Sequence, residues 1–184
     1  CRGRRRGIQD IETVCRLVRA HAQPGQLGLL PTLSWWHLVG LGVGGVVGTS
    51  SLTGNQVHKV GNVTGTGSRV GGAYGYIGGA QTDVDSIGTV TLNGSGYRVG
   101  GLAGEASGNI TNGYAIGAVT ASSSYEVGGL VGYYSSGSMT NVSSSGGNVT
   151  GTYNVGGLIG NASSINITTA STSGNVTGSA QSVG

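Results

Sequence analysis

The sequence predicts an all-β chain wound into a β-solenoid (β-helix) of about five 28-residue coils. Two observations carry that prediction. A six-residue opening, Val-Gly-Gly, a hydrophobe, a small or apolar residue and Gly, recurs at Val43, Val70, Val99, Val127 and Val155, in steps of 27, 29, 28 and 28 residues. A fixed period of this length marks an array of supersecondary units. Glycine also fills 40 of 184 positions, with 8% charged residues and 36% apolar ones. Glycine costs about 1 kcal/mol per helix position, which argues against a bundle. The 2 prolines and the missing Gly-X-Y period exclude collagen. The apolar content and low charge argue against disorder.

The first segment, residues 1–42, reads as a basic, amphipathic start followed by an apolar stretch. Arg2, Arg4, Arg5, Arg6, Arg16 and Arg19 stand against Asp10 and Glu12, a local charge of +4. Ile8, Ile11, Val14, Cys15, Val18 and Ala22 fall on one helical face, and Pro24 with Gly25 ends the pattern. Residues 27–48 are apolar, but Pro31, His37 and several glycines interrupt them, which argues against a membrane span. The expectation is a short helix and an apolar segment capping or docking on the coils. Cys1 and Cys15, with 13 residues between them, are a possible disulfide pair.

Residues 43–184 form the second segment. Each unit carries, besides its opening, a run of the type Gly-Asn-Val-Thr-Gly, at Gly61, Gly88, Gly117, Gly147 and Gly174. Alternation sends Val63, Val90, Val119, Val149 and Val176 inward and their neighbours outward. A third, less regular element includes Val57, Val84, Ile110, Met139 and Ile167. Three short strands per unit fit one coil of a solenoid better than a propeller blade, which needs about 40 residues. A 28-residue unit is too short to bury a core alone, so neighbours must share one. The Gly-Gly pair after each opening Val marks a corner that needs positive φ or close backbone approach.

The openings VGGLAG, VGGLVG and VGGLIG at Val99, Val127 and Val155, each with a GNVTG-type run downstream, resemble the GLUG repeat of bacterial surface and secreted proteins. The resemblance covers residues 43–184; VGGAYG at Val70 departs most, with Ala in place of Leu. It implies an extracellular or cell-surface β-helical module of adhesin-like or fibrous proteins, and no catalytic residue.

No acid, base and nucleophile set converges in the sequence, so an enzyme is not expected, and no cofactor or metal either. Gly40, Gly42 and Gly45 match a dinucleotide fingerprint without the acidic residue that should follow. His21, His37 and His58 lack metal-ligand spacing. Asp83 and Asp85 flank Val84 and read as two solvated acids on one side of a strand. From Lys59 onward three cations face four acids, a local −1, too little to neutralise phosphates, so nucleic acid is not expected as a partner. Asn62, Asn93, Asn109, Asn141, Asn148, Asn161, Asn166 and Asn175 open N-x-S/T sequons, possible glycosylation sites that composition alone also generates. Thr64, Thr91, Thr120, Thr150 and Thr177 suggest a threonine ladder, and Tyr97, Tyr125 and Tyr153 an aromatic column or a carbohydrate-binding strip.

Three roles follow in order of expectation. The first is a structural surface or fibre-forming module whose subunits associate end to end, since open solenoid ends present unpaired strand groups. At the C-terminal end a sixth unit opens at Val183 and Gly184, so either the array continues or a second copy docks there. The second is an adhesin module binding glycans or a host surface. The third, resting on the threonine ladder, is ice binding.

Overall fold

The computed structural model describes residues 43–45, 47–180 and 184. The helix expected in residues 8–22, the cap in residues 1–42 and the Cys1–Cys15 pair lie outside them.

The described residues are all-β, stacked in about five coils with three strand faces, and every strand pairing is parallel. The first face holds Val43–Gly44, Arg69–Gly71, Gly96–Gly100, Ser124–Gly128 and Val155–Gly156. The second holds Val47–Ser50 with Gly54–Val60, Tyr74–Ile77 with Gln81–Ile87, Ala103–Ala106 with Ile110–Ile116, then Val131–Ser145 and Ile159–Thr172. The third holds Val63–Gly65, Val90–Leu92, Val119–Thr120, Val149–Gly151 and Val176–Gly178. Each strand pairs with its counterpart one coil away, so the predicted solenoid is the observed fold.

The motif valines form one core. Val70, Val99, Val127 and Val155 of the openings pack against Val63, Val90, Val119 and Val149 of the Asn-Val-Thr runs. Full burial of one such side chain contributes roughly 1.5–3 kcal/mol. The larger core lies under the second face, around Tyr74, Ile77, Leu102, Ile110, Leu130, Tyr134 and Met139. Its large buried polar side chains are paired, whereas the small Ser86 hydroxyl has no partner among the described residues: Tyr74 donates to Gln81 Oε1 at 2.9 Å, and Gln81 Nε2 donates to the Leu52 carbonyl at 2.8 Å. The Tyr134 hydroxyl reaches the carbonyls of Gly108, at 2.6 Å, and Ser138, at 3.0 Å.

The opening glycines are there for close approach, and their φ is not positive. A Cβ on Gly100 or Gly128 would strike the carbonyl of the residue three places on, closing the corner of its own coil. A Cβ on Gly101 or Gly129 would strike a carbonyl of the next coil. Positive φ is used instead at the corner between the second and third faces, by Gly61, Gly88, Gly117 and Gly174.

The third sequence element is corrected by the register. Val57, Val84, Gly113, Val142 and Ala170 form one column, whereas Gln81, Ile110, Met139 and Ile167 belong to another. The reason is an unpaired position in each coil, at Gln56, Asp83, Asn112, Asn141 and Thr169, all with φ between 53° and 58°. This left-handed residue kinks the strand and breaks the simple alternation that placed the five hydrophobes in one series. Asn and Asp tolerate such a φ best.

Coil length varies only between registered segments. Relative to the first coil, the second gains its two extra residues between Leu92 and Arg98, where Gly94 has φ +99°. The fourth gains one residue near Gly137, between Tyr134 and Met139, and one near Gly146, both glycines with positive φ. One inward column is polar at its start: Lys59, Ser86, Ala115, Ser144 and Thr172 align, and the Lys59 ammonium folds back onto the Gly61 carbonyl. Burial lowers the Lys59 pKa.

Two outcomes follow. Gly117→Ala places a Cβ on the Gly88 carbonyl at φ +138° and is expected to cost about 2–3 kcal/mol. Gly94→Ala, with open space around it, should cost only about 1 kcal/mol. Thermal and denaturant unfolding of the two variants checks the difference. Burial also raises the phenol pKa of Tyr134 to about 12 and that of Tyr74 higher still. A folded pKa above the unfolded value of about 10 gives stability that is complete below pH 10 and lost as pH rises through 12. Tyrosinate absorbance followed with circular dichroism should show these two phenols ionising together with unfolding.

Candidate functional site

The outer surface is a set of columns, each repeating one position of the coil. The most charged lies where the first face turns into the second. Arg69, Arg98 and Glu126 align there, each immediately before an opening Val. Beside them run Thr49, Tyr76, Glu105, Tyr133 and Asn161. The two columns interlock. Arg69 and Arg98 both contact the Glu105 carboxylate, Arg98 Nε donates to Glu126 Oε2 at 2.9 Å, and Asn161 Nδ2 donates to Glu126 Oε1 at 2.9 Å. The Arg69 guanidinium lies over the Tyr76 ring at 5.3 Å and that of Arg98 over Tyr133 at 4.3 Å. Burial opposes the charge on Arg98, yet hydrogen bonds and Coulomb attraction from Glu105 and Glu126 prevail and raise its pKa. An isolated exposed ion pair contributes roughly 0.2–1 kcal/mol. Here two cations and two anions share partners over three coils.

The aromatic column adjoins this corner. Tyr97 and Tyr125 stack with ring centroids 5.3 Å apart, and Tyr125 and Tyr153 at 4.9 Å, with interplanar angles of 16° and 8°. Stacking turns the ring faces toward each other and the edges outward. A sugar platform needs an exposed face, so the column as a whole does not form a carbohydrate strip.

The left-handed positions of the second face form a polar column. Asn112 Nδ2 donates to Asp83 Oδ1 at 2.7 Å, and Asn141 Nδ2 donates to Asn112 Oδ1 and to the Tyr114 hydroxyl, each at 2.8 Å. His58 Nδ1 lies 2.9 Å from Asp85 Oδ2. The two acids expected to share one side of a strand therefore have different partners. They do share one side of the strand, flanking the buried Val84 and lining one cleft with His58, Asn112 and Tyr114. Among the described residues no three His, Cys, Asp or Glu side chains gather in a way that could hold a metal ion. No described helix is long and apolar enough to cross a membrane. His21 and His37 lie outside the described residues.

The threonine ladder is in register over five strands, Thr64, Thr91, Thr120, Thr150 and Thr177. The other outward column of that face is mixed. Asn62 Oδ1 accepts from Thr89 N at 2.9 Å, and Asn148 Oδ1 accepts from Asn175 N at 3.2 Å. The face is one threonine wide.

The charged corner escaped the sequence reading, although its signal was present: Arg69, Arg98 and Glu126 share one offset from the opening motif. The polar column was missed because no glycine marks its positive φ.

Residues 123–150 match the family model of the GLUG motif. They include the Val127 opening and the Asn-Val-Thr run that follows it. The GLUG resemblance is therefore shown over one coil, within a β-solenoid of about five. No curated protein and no solved structure matches the chain.

The sequons differ in what their amide nitrogens do. Asn141 and Asn161 commit Nδ2 to hydrogen bonds, and that nitrogen is the atom a glycan would occupy. Asn93 sits exposed beside the open turn at Gly94. Asn109 Oδ1 accepts from Ser138 N at 3.0 Å, which leaves its amide nitrogen outside that bond, as at Asn62 and Asn148. Asn166 and Asn175 are exposed on the last coil. Secretion from a glycosylating host is expected to modify Asn93 and Asn62 and to leave Asn141 and Asn161 bare. Glycopeptide mass spectrometry checks the pattern.

Proposed function

We propose that the solenoid is a structural module of a bacterial surface or secreted protein and that its coils associate end to end. The supporting observation is the open strand of the last coil. Ile159–Thr172 pairs with the coil before it through eleven registered positions. Its other edge leaves Ile167 46% exposed, and on the third face Val176 is half-buried, whereas their counterparts one coil in, Met139 and Val149, are buried. A long edge of this kind is a template for pairing.

The occupant this edge fits is another coil of the same repeat. Gly184 already takes such a position on the first face: its amide donates to the Val155 carbonyl at 2.9 Å, and Gly157 N donates to the Gly184 carbonyl at 3.0 Å. The next coil is supplied by the continuing array or by a second copy, and a head-to-tail contact between copies propagates. The small local charge of the coils, −1 from Lys59 onward, lets like surfaces approach. The GLUG motif supports an extracellular or cell-surface location.

Sedimentation velocity and electron microscopy over a concentration series test the reading. Head-to-tail oligomers or filaments are expected for the wild type. Ile167→Lys places a charge on the edge and should shift the distribution to monomers without lowering the unfolding midpoint. Monomers at every concentration would overturn end-to-end association.

A further inference from the structure

The tyrosine column ends at an opening one ring thick. Tyr97 has one face on Tyr125, at 5.3 Å. The pairing of Arg69 with Arg98 sets Ser68 opposite Tyr97 in the neighbouring coil, and the Ser68 carbonyl accepts from Arg98 N at 2.9 Å. Serine carries no ring, so the second face of Tyr97 is uncovered. Its exposure, 59%, exceeds the 47% of Tyr125 and the 36% of Tyr153. A cleft at this corner is lined by Ser68, Arg69, Tyr97, Arg98 and Glu126.

The walls of the cleft carry both donors and acceptors. A guanidinium has five N–H groups in a planar fork. The contact of Arg69 with Glu105 is made by Nε, and Arg98 engages Glu105 through Nη1 and Glu126 through Nε. Each Glu126 oxygen already accepts one bond, from Arg98 and from Asn161, and has a second lone pair. The ion pairs are balanced, two cations with two anions, so the cleft does not select a strongly charged ligand. The spacing of the column leaves room for a group of ring thickness. A flat aromatic ligand would cover Tyr97 but leave the polar walls unanswered. A pyranose offers an apolar C–H face for the ring and hydroxyls at its edge that donate and accept.

We propose that the cleft over Ser68 is a subsite for one pyranose unit of a glycan, stacked on Tyr97 with its hydroxyls on Arg69, Arg98 and Glu126. It gives the adhesin alternative a single place on the surface and does not depend on association between copies. One aromatic face with a few hydrogen bonds sets the affinity of a single sugar on the order of 1 mM.

Saturation-transfer NMR with methyl pyranosides, neutral and uronic, tests it on monomeric material. Transfer to the sugar C–H protons is expected, with shifts of the Tyr97 ring signals. Ser68→Tyr fills the opening with a fourth ring and should weaken binding at least tenfold while circular dichroism stays that of the wild type. Should that variant fail to fold, Tyr97→Leu, which keeps apolar bulk and removes the aromatic face, decides in the same way. Ser68→Ala should bind as the wild type does. No transfer from any pyranoside, or unchanged binding in Ser68→Tyr or in a folded Tyr97→Leu, overturns the subsite, whatever the outcome for end-to-end association.

Discussion

The parallel ladder between successive coils is the constraint on which the structure depends. Each strand satisfies its backbone groups on the coil before and the coil after, so equivalent residues stand one strand spacing apart, about 4.8 Å. Every side chain therefore meets its own counterpart. Inside, that demand yields valine on valine in the smaller core. At the tightest corners it yields glycine on a neighbouring carbonyl, where even a methyl group has no room. The glycine content is thus a consequence of backbone proximity between coils, and only a few positions use glycine for its positive φ.

On the outside the same constraint decides what may be stacked. Equal charges one strand spacing apart repel, so a column of one ionic residue is costly. Two like cations do align, Arg69 with Arg98, but Glu105 in the adjoining column contacts both, and Glu126 follows in their own column. Residues that satisfy one another stack freely: the amides of Asn112 and Asn141 and the tyrosine rings, while the uncharged threonine ladder stacks without repulsion. Differences in coil length fall between the segments registered with the preceding coil, at Gly94 and Gly146 in corners and at Gly137 within the second face.

Much of this was legible in the sequence. The recurrence of Val-Gly-Gly gave the coil, and the period-two alternation of Asn-Val-Thr gave the inward valines, because both signals depend on residue type at fixed spacing. The second face was only half legible. Its left-handed residue is Gln, Asp, Asn, Asn and Thr in successive coils, so nothing in composition marks it, and hydrophobes on its two sides read as one series although they belong to two columns. The tyrosines were recognised as a column, but the orientation of their rings follows from packing and closes the faces a glycan strip would need. The ion network at Glu105 was hidden for another reason. Glu105 lies in a different column from the arginines it joins, and only the turn from the first face to the second brings them together.

A stack held by the pairing of each coil to the next also has a defined mechanical response. Tension applied between the chain ends peels coils away one at a time, because each releases its own ladder without loosening those further in. The inner coils resist with nearly equal strength, since they repeat the same contacts. Such a body pays out length in regular steps under load and rewinds on a template that is still standing.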